Sequence, residues 1–185
     1  TDHLEAEKLF VAYFAELLRD VEIAVVSPDV GGVKRAELFR QTLSEVLGRP
    51  IAGAFMEKQR RGGVVRGEAI VGEVEGRAVI VLDDMISTGG TMARAAKACH
   101  GLGATAVYAA ASHGLFVGDA NRIFADPCFE KLVITDTVPP FRLRPELMNE
   151  KLVVLDAAAL FAGAIKRINA GGSIVELLES RVPSP

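Results

Sequence analysis

The run A-V-I-V-L at 78–82 contains no polar side chain. A strand that shows one face to water alternates apolar and polar residues, so an unbroken run belongs to a strand covered on both faces. The chain repeats the device in E-I-A-V-V-S at 22–27, I-A-G-A-F-M at 51–56, A-V-Y-A-A-A at 106–111, K-L-V-I-T at 131–135 and K-L-V-V-L at 151–155. Between these runs lie stretches whose apolar residues recur at helical spacing: 5–19, 33–47, 91–102 and, after Asp156, to about 168. Strand and helix in alternation predict an α/β fold in three layers, a mostly parallel central sheet flanked by helices. With 185 residues, half of them hydrophobic, the chain suffices for one such domain.

Two segments fall outside the pattern. E-K-Q-R-R-G-G-V-V-R-G at 57–67 has four cations, two adjacent glycines and no apolar period, and reads as a mobile surface loop. Residues 140–150 read as a second loop, while 69–74 forms a strand joined to 78–82 through Glu75-Gly76. Asp2 is placed to cap the first helix, and Ser173 to open a short last one.

In open parallel sheets, ligands bind beyond the carboxyl ends of the strands. Asp29, Lys58, Asp83, Asp84, His113 and Asp136 all stand at such ends. The densest group is V-L-D-D-M-I-S-T-G-G-T at 81–91. Gly89 and Gly90 permit a tight turn with its N–H groups converging. Ser87, Thr88 and Thr91 add hydroxyls, and the helix that follows adds its positive end, which together suit a phosphate. Asp83 and Asp84 cannot bind that anion, but they accept hydrogen bonds from sugar hydroxyls or hold a divalent cation. A pentose 5-phosphate satisfies both halves. A capped strand-to-helix turn with nothing bound is the plainer reading, yet two adjacent carboxylates repel each other without a partner. His113 serves equally as a phosphate donor or a structural hydrogen-bonder, and Lys34 and Arg35 read as the solvated face of a helix.

Net charge of -3 and a sequence pI near 5.7 argue against a nucleic-acid binder. No segment is long and apolar enough for a membrane span. Cys99 and Cys128 have no metal or disulfide spacing and read as small buried residues of a cytoplasmic protein.

V-L-D-D-M-I-S-T-G-G-T resembles the phosphoribosyl diphosphate (PRPP) motif of the type I phosphoribosyltransferase fold. More of the chain is similar to one branch, the ribose-phosphate pyrophosphokinases. V-V-S-P-D-V-G-G-V-K-R-A at 25–36 resembles that family's S-P-D-x-G-G segment, and M-E-K-Q-R-R at 56–61 its K-R-R flexible loop. A-A-S-H-G-L-F at 110–116, I-T-D-T-V-P at 134–139 and D-H-L-x-A near the start match in kind and order. The resemblance implies transfer of the β,γ-diphosphoryl group of ATP to the 1-hydroxyl of ribose 5-phosphate, with Mg²⁺, in a homo-oligomeric enzyme. It implies sugar-phosphate binding by Asp83, with Asp84, and by Ser87, Thr88, Gly89, Gly90 and Thr91. It further implies a catalytic Lys58 with Arg60 on the mobile loop, and a magnesium site at Asp29.

Two departures qualify the likeness. Ser87 stands where the family motif carries an acid, and serine supplies no base at neutral pH unaided. The likeness also begins in the middle of the family sequence, so 1–185 is expected to be one phosphoribosyltransferase-like domain, the C-terminal part of a longer two-domain protein. The alternatives are a non-catalytic PRPP-sensing module and a phosphoribosyltransferase acting on a nucleobase.

Overall fold

A computed structural model of the chain describes residues 4–61 and 64–175, the side chains of 58–68 excepted. In chain order come α1 (Glu7–Leu17), β1 (Ile23–Ser27), α2 (Val33–Leu47), β2 (Ala52–Arg61), β3 (Val64–Gly72), β4 (Ala78–Ile86) and α3 (Gly90–Gly101). Then follow β5 (Ala106–Gly114), α4 (Ala120–Phe124), β6 (Lys131–Thr135), α5 (Pro145–Lys151), β7 (Leu152–Leu155) and α6 (Ala158–Asn169). The strands hydrogen-bond in the order β3-β2-β1-β4-β5-β6-β7, and every pair is parallel except β2 with β3.

The unbroken apolar runs are explained by two cores. On one face, Ile80 and Leu82 of β4 pack with Phe10 and Phe14 of α1 and Phe39 and Leu43 of α2. On the other, Val79 and Val81 pack with Ala95 and Cys99 of α3, Phe124 of α4 and Leu147 of α5. A strand between two such layers has no side left for polar residues, as the sequence predicts. The chain leaves β1 toward β2 on one side and leaves β4 toward β5 on the other. The sheet order therefore reverses between β1 and β4, where a crevice opens above the carboxyl ends of the two strands.

Four local expectations are corrected. Residues 57–61 and 64–67, read as loop, extend β2 and β3: Glu57 pairs with Ala69, Lys58 with Glu68 and Gln59 with Gly67, and the register shifts between Gln59 and Arg60. Main-chain hydrogen bonds hold such a hairpin whatever its side chains, so no apolar alternation announces it. The loop expected at 140–150 contains α5, with Pro145 in its first turn, a position where the missing N–H costs nothing. β4 and β5 run on to Ile86 and Gly114, because each supplies the other's backbone partners as far as Met85 opposite His113 and Ile86 opposite Gly114. The cap position of α1 falls at Ala6, and Asp2 lies outside the described residues.

Candidate active site

Asp83 and Asp84 lie on the last stretch of β4, beside the β1–β4 crevice. The Asp83 side chain is 19% exposed and that of Asp84 64%. Their mutual repulsion is met by Arg35, from the first turn of α2. Its Nη1 donates to Asp83 Oδ1 at 2.9 Å, and its Nη2 lies 3.1 Å from Asp84 Oδ2. Arg35 is thus part of the site and not merely a solvated helix face. The Asp84 N–H also donates to Asp83 Oδ1, at 2.8 Å.

Burial pushes Asp83 up to about 6, reinforced by the Asp84 charge and opposed by the Asp84 N–H and by Arg35. Burial acts on Asp84 too, but its hydrogen bond to Asp83 and the Arg35 charge outweigh it and hold Asp84 below the usual carboxylate range. The pair therefore takes up a proton at Asp83 first.

Past Ile86 the chain turns through Ser87 and Thr88, both exposed, and Gly89, which is buried. The outer side of this turn is braced from the segment after β5: Leu115 N–H donates to Ile86 O at 2.9 Å and Val117 N–H to Ser87 O at 3.0 Å. Gly89 is required twice over. Its φ is 82°, and a Cβ there would come within 2.5 Å of the Phe124 ring. Gly90 is not required by the fold, since a Cβ would meet nothing nearer than 3.7 Å. The first intrahelical bond of α3 runs from Ala93 N–H to Gly89 O at 2.9 Å, so the N–H groups of Gly90, Thr91 and Met92 have no acceptor within the helix. The Thr88 hydroxyl oxygen sits 3.4 Å from Gly90 N, and Arg94 Nη2 lies 3.4 Å from the Thr91 hydroxyl.

A cleft of about 580 Å³ opens beside the carboxylates, with Lys34, Arg35, Asp83, Asp84 and His113 on its polar wall and Phe10 on its apolar one. Ser87 to Thr91 do not line it. The two halves of the expected site are contiguous in the chain, and the carboxylate half opens onto this cleft.

His113 is oriented by a pair of threonines. Thr135 is fully buried and donates its hydroxyl to Ser112 O at 2.7 Å. The Thr137 hydroxyl oxygen lies 2.9 Å from that of Thr135 and 3.1 Å from Ser112 O. His113 Nδ1 lies 2.7 Å from Thr137 Oγ1, so this network orients the ring where it lines the cleft. Nothing local in K-L-V-I-T-D-T announces this network, because its partners lie 23 to 25 positions earlier in the chain.

Asp29 follows β1. Its Oδ1 accepts the Gly32 N–H at 2.9 Å, and its carbonyl accepts the Ser27 hydroxyl at 2.6 Å. Asp136 caps the approach to α6, accepting the Ala157 N–H at 2.9 Å, and stands outside the site. The side chains of Lys58 and Arg60 lie outside the described residues.

Residues 63–179 match the family described as the phosphoribosyl synthetase-associated domain. The chain is 40% identical over 179 residues to ribose-phosphate pyrophosphokinase 1 of Listeria innocua, covering 96% of this chain and 54% of that protein. It is 37% identical over 177 residues to the ribose-phosphate pyrophosphokinase of Caldanaerobacter subterraneus, covering 95% and 53%. The crystal structure of phosphoribosylpyrophosphate synthetase from Mycobacterium smegmatis superposes with a TM-score of 0.79 at 34% identity, over 92% of this chain and 53% of that one. The chain spans about half the length of the curated relatives it matches.

Proposed function

The chain belongs to the phosphoribosyl synthetase-associated domain family, and from that premise we propose that it is the sugar-phosphate-binding part of a ribose-phosphate diphosphokinase. One observation carries the reading: paired carboxylates and a glycine turn with exposed hydroxyls follow each other at the end of β4, at the point where the sheet order reverses. Asp83 and Asp84 accept the sugar's vicinal hydroxyls. Ser87, Thr88, Thr91 and the first N–H groups of α3 donate to the 5-phosphate.

In the reaction, the 1-hydroxyl oxygen of ribose 5-phosphate attacks the β-phosphorus of ATP. The bond from that phosphorus to the oxygen it shares with the α-phosphate breaks, AMP leaves, and the hydroxyl proton passes to solvent. Such transfers depend on positioning and charge neutralisation more than on covalent help from the protein. That suits Ser87, which donates to phosphate and offers no base. Lys58 and Arg60 supply positive charge to the transferring phosphates from the hairpin arm, whose closure would exclude water.

Among the described residues no group of three or more His, Cys, Asp or Glu is placed to hold a metal. Mg²⁺ needs no such cage, because it binds through one or two carboxylates together with substrate phosphates and water. Asp29 fits that role: one oxygen takes the Gly32 N–H, and its remaining lone pairs stay available to a hard cation. Bound there with the nucleotide, Mg²⁺ supplies charge neutralisation for the diphosphoryl group.

The same reading makes the enzyme cytoplasmic, homo-oligomeric and part of nucleotide biosynthesis; no helix among the described residues is long and apolar enough to cross a membrane. The test is AMP release from ATP by the full-length enzyme of which this chain is proposed to be a part. It should require both ribose 5-phosphate and Mg²⁺ and fall by orders of magnitude in Lys58→Ala. AMP release independent of the sugar phosphate would refute the assignment.

A further inference from the structure

Arg35 stands 48 residues before Asp83, on a different strand-to-helix unit, yet its one guanidinium gives an arm to each carboxylate, at 2.9 and 3.1 Å. Successive residues on a strand point to opposite sides of the pleat, so adjacent carboxylates splay unless something gathers them. A planar fork with several N–H donors gathers two carboxylates, whereas an ammonium acts as a point charge. Arg35 also stands over the crevice itself. The place a Cβ would occupy on Gly32 lies 3.6 Å from Arg35 Nη1 and 3.7 Å from Asp29 Oδ1, so the fork sits beside the Asp29 turn as well as over β4.

We infer that Arg35 is a positioning and specificity-determining residue of the sugar site: it holds Asp83 and Asp84 as a matched pair of acceptors for a vicinal diol, and so selects ribose phosphates over 2-deoxyribose phosphates. This rests on the reading of the site as one for ribose 5-phosphate. Arg35 leaves room for the diol because each carboxylate oxygen has further lone pairs beyond the one facing the guanidinium. The phosphate turn at Ser87–Thr91 makes no contact with it, so phosphate binding is independent of Arg35. The Arg35 side chain is 40% exposed, so its ion pairs contribute at most modestly to the fold, more through Asp83, at 19% exposure, than through Asp84, at 64%.

The test is calorimetric titration of the full chain, with Mg²⁺ present, by ribose 5-phosphate, 2-deoxyribose 5-phosphate and inorganic phosphate. Wild type, Arg35→Ala and Arg35→Lys are compared, with unfolding midpoints as the control for folding. Wild type should prefer ribose 5-phosphate over its 2-deoxy analogue by roughly tenfold, the scale of a lost hydrogen bond to a charged group. Both variants should bind ribose 5-phosphate roughly tenfold more weakly and lose most of the preference, with phosphate binding unchanged and midpoints at most modestly lowered. Full rescue by lysine would show that charge suffices and overturn the fork. Undiminished preference in both variants would overturn the role outright, and an equal loss of phosphate binding would make Arg35 a general anion attractor instead. A wild-type chain that binds no ribose 5-phosphate, or does not distinguish the two sugars, removes the sugar-site reading itself, and this inference with it.

Discussion

β1 and β4 are neighbouring parallel strands that each run into a glycine turn and then a helix, yet the two turns end in opposite states. After β1, the turn closes on itself. The buried Ser27 hydroxyl bonds the Asp29 carbonyl, and the Asp29 carboxylate bonds the Gly32 N–H. After β4, the carboxylates are satisfied from outside by Arg35, and Ser87 and Thr88 face solvent. One connection is braced from within by its own hydrogen bonds, whereas the other takes its bracing from a different strand-to-helix unit. The closed turn also serves the open one, because it fixes the start of the helix from which Arg35 reaches across. The same supersecondary unit therefore supplies an anchor at one strand and the proposed binding surface at the next.

The sharpest way to break this comparison is at the tight glycine of the open turn. Gly89→Ala combines a left-handed φ with a Cβ 2.5 Å from the Phe124 ring, and should destabilise the chain by about 2–4 kcal/mol in urea unfolding. In the closed turn, a Cβ on Gly32 would lie 2.7 Å from the Ser27 hydroxyl oxygen. Gly32→Ala should cost about 1–2 kcal/mol, and Ser27→Ala about 1 kcal/mol through the lost buried hydrogen bond. The double variant should cost less than the sum, since removing the hydroxyl makes room for the methyl; strict additivity would contradict the contact.

Asp83 sharpens the comparison through pH. Its folded-state pKa is raised to about 6, above the ordinary carboxylate range, so the native chain binds this proton more tightly than the unfolded chain. The stability linked to that proton is present at low pH and is lost as pH rises through about 6. Asp83→Asn carries no such penalty. Relative to wild type, it should gain about 1 kcal/mol between about pH 4 and about pH 8, read from urea midpoints. A constant difference across that range would show that Arg35 fully offsets the burial. The smallest effect belongs to Gly90→Ala, where no atom stands nearer than 3.7 Å to the added methyl. Its stability should change by no more than about 1 kcal/mol, in the stabilising direction, because alanine is the better helix former. Any loss it causes should appear in ribose 5-phosphate affinity.

What could be read in advance follows the range of each interaction. The sheet, its helices and the Asp83–Thr91 unit were legible because burial on two faces and turn chemistry leave local marks. Short helices leave fewer: α4 has five residues and α5 seven, too few for apolar periodicity to emerge. The paired strands over 57–61 and 64–67 left none, as their pairing is made by backbone alone. Arg35 was misread because a cation near a helix start reads as solvated, and its partners lie 48 and 49 positions away. A trace of it was present all the same, since two adjacent aspartates at a strand end require a counter-charge, and only the crossing of β1 beside β4 says which cation supplies it.

The central claim is that the β4 turn holds ribose 5-phosphate by both ends, and titration of that ligand into wild type and Asp83→Asn, beside inorganic phosphate, tests it most directly. The account predicts that wild type binds the sugar phosphate more tightly than phosphate alone. Asp83→Asn should lose roughly tenfold or more of the sugar-phosphate affinity while binding phosphate as before. Equal affinity of wild type for the two ligands, or an Asp83→Asn variant that binds ribose 5-phosphate unchanged, would contradict it.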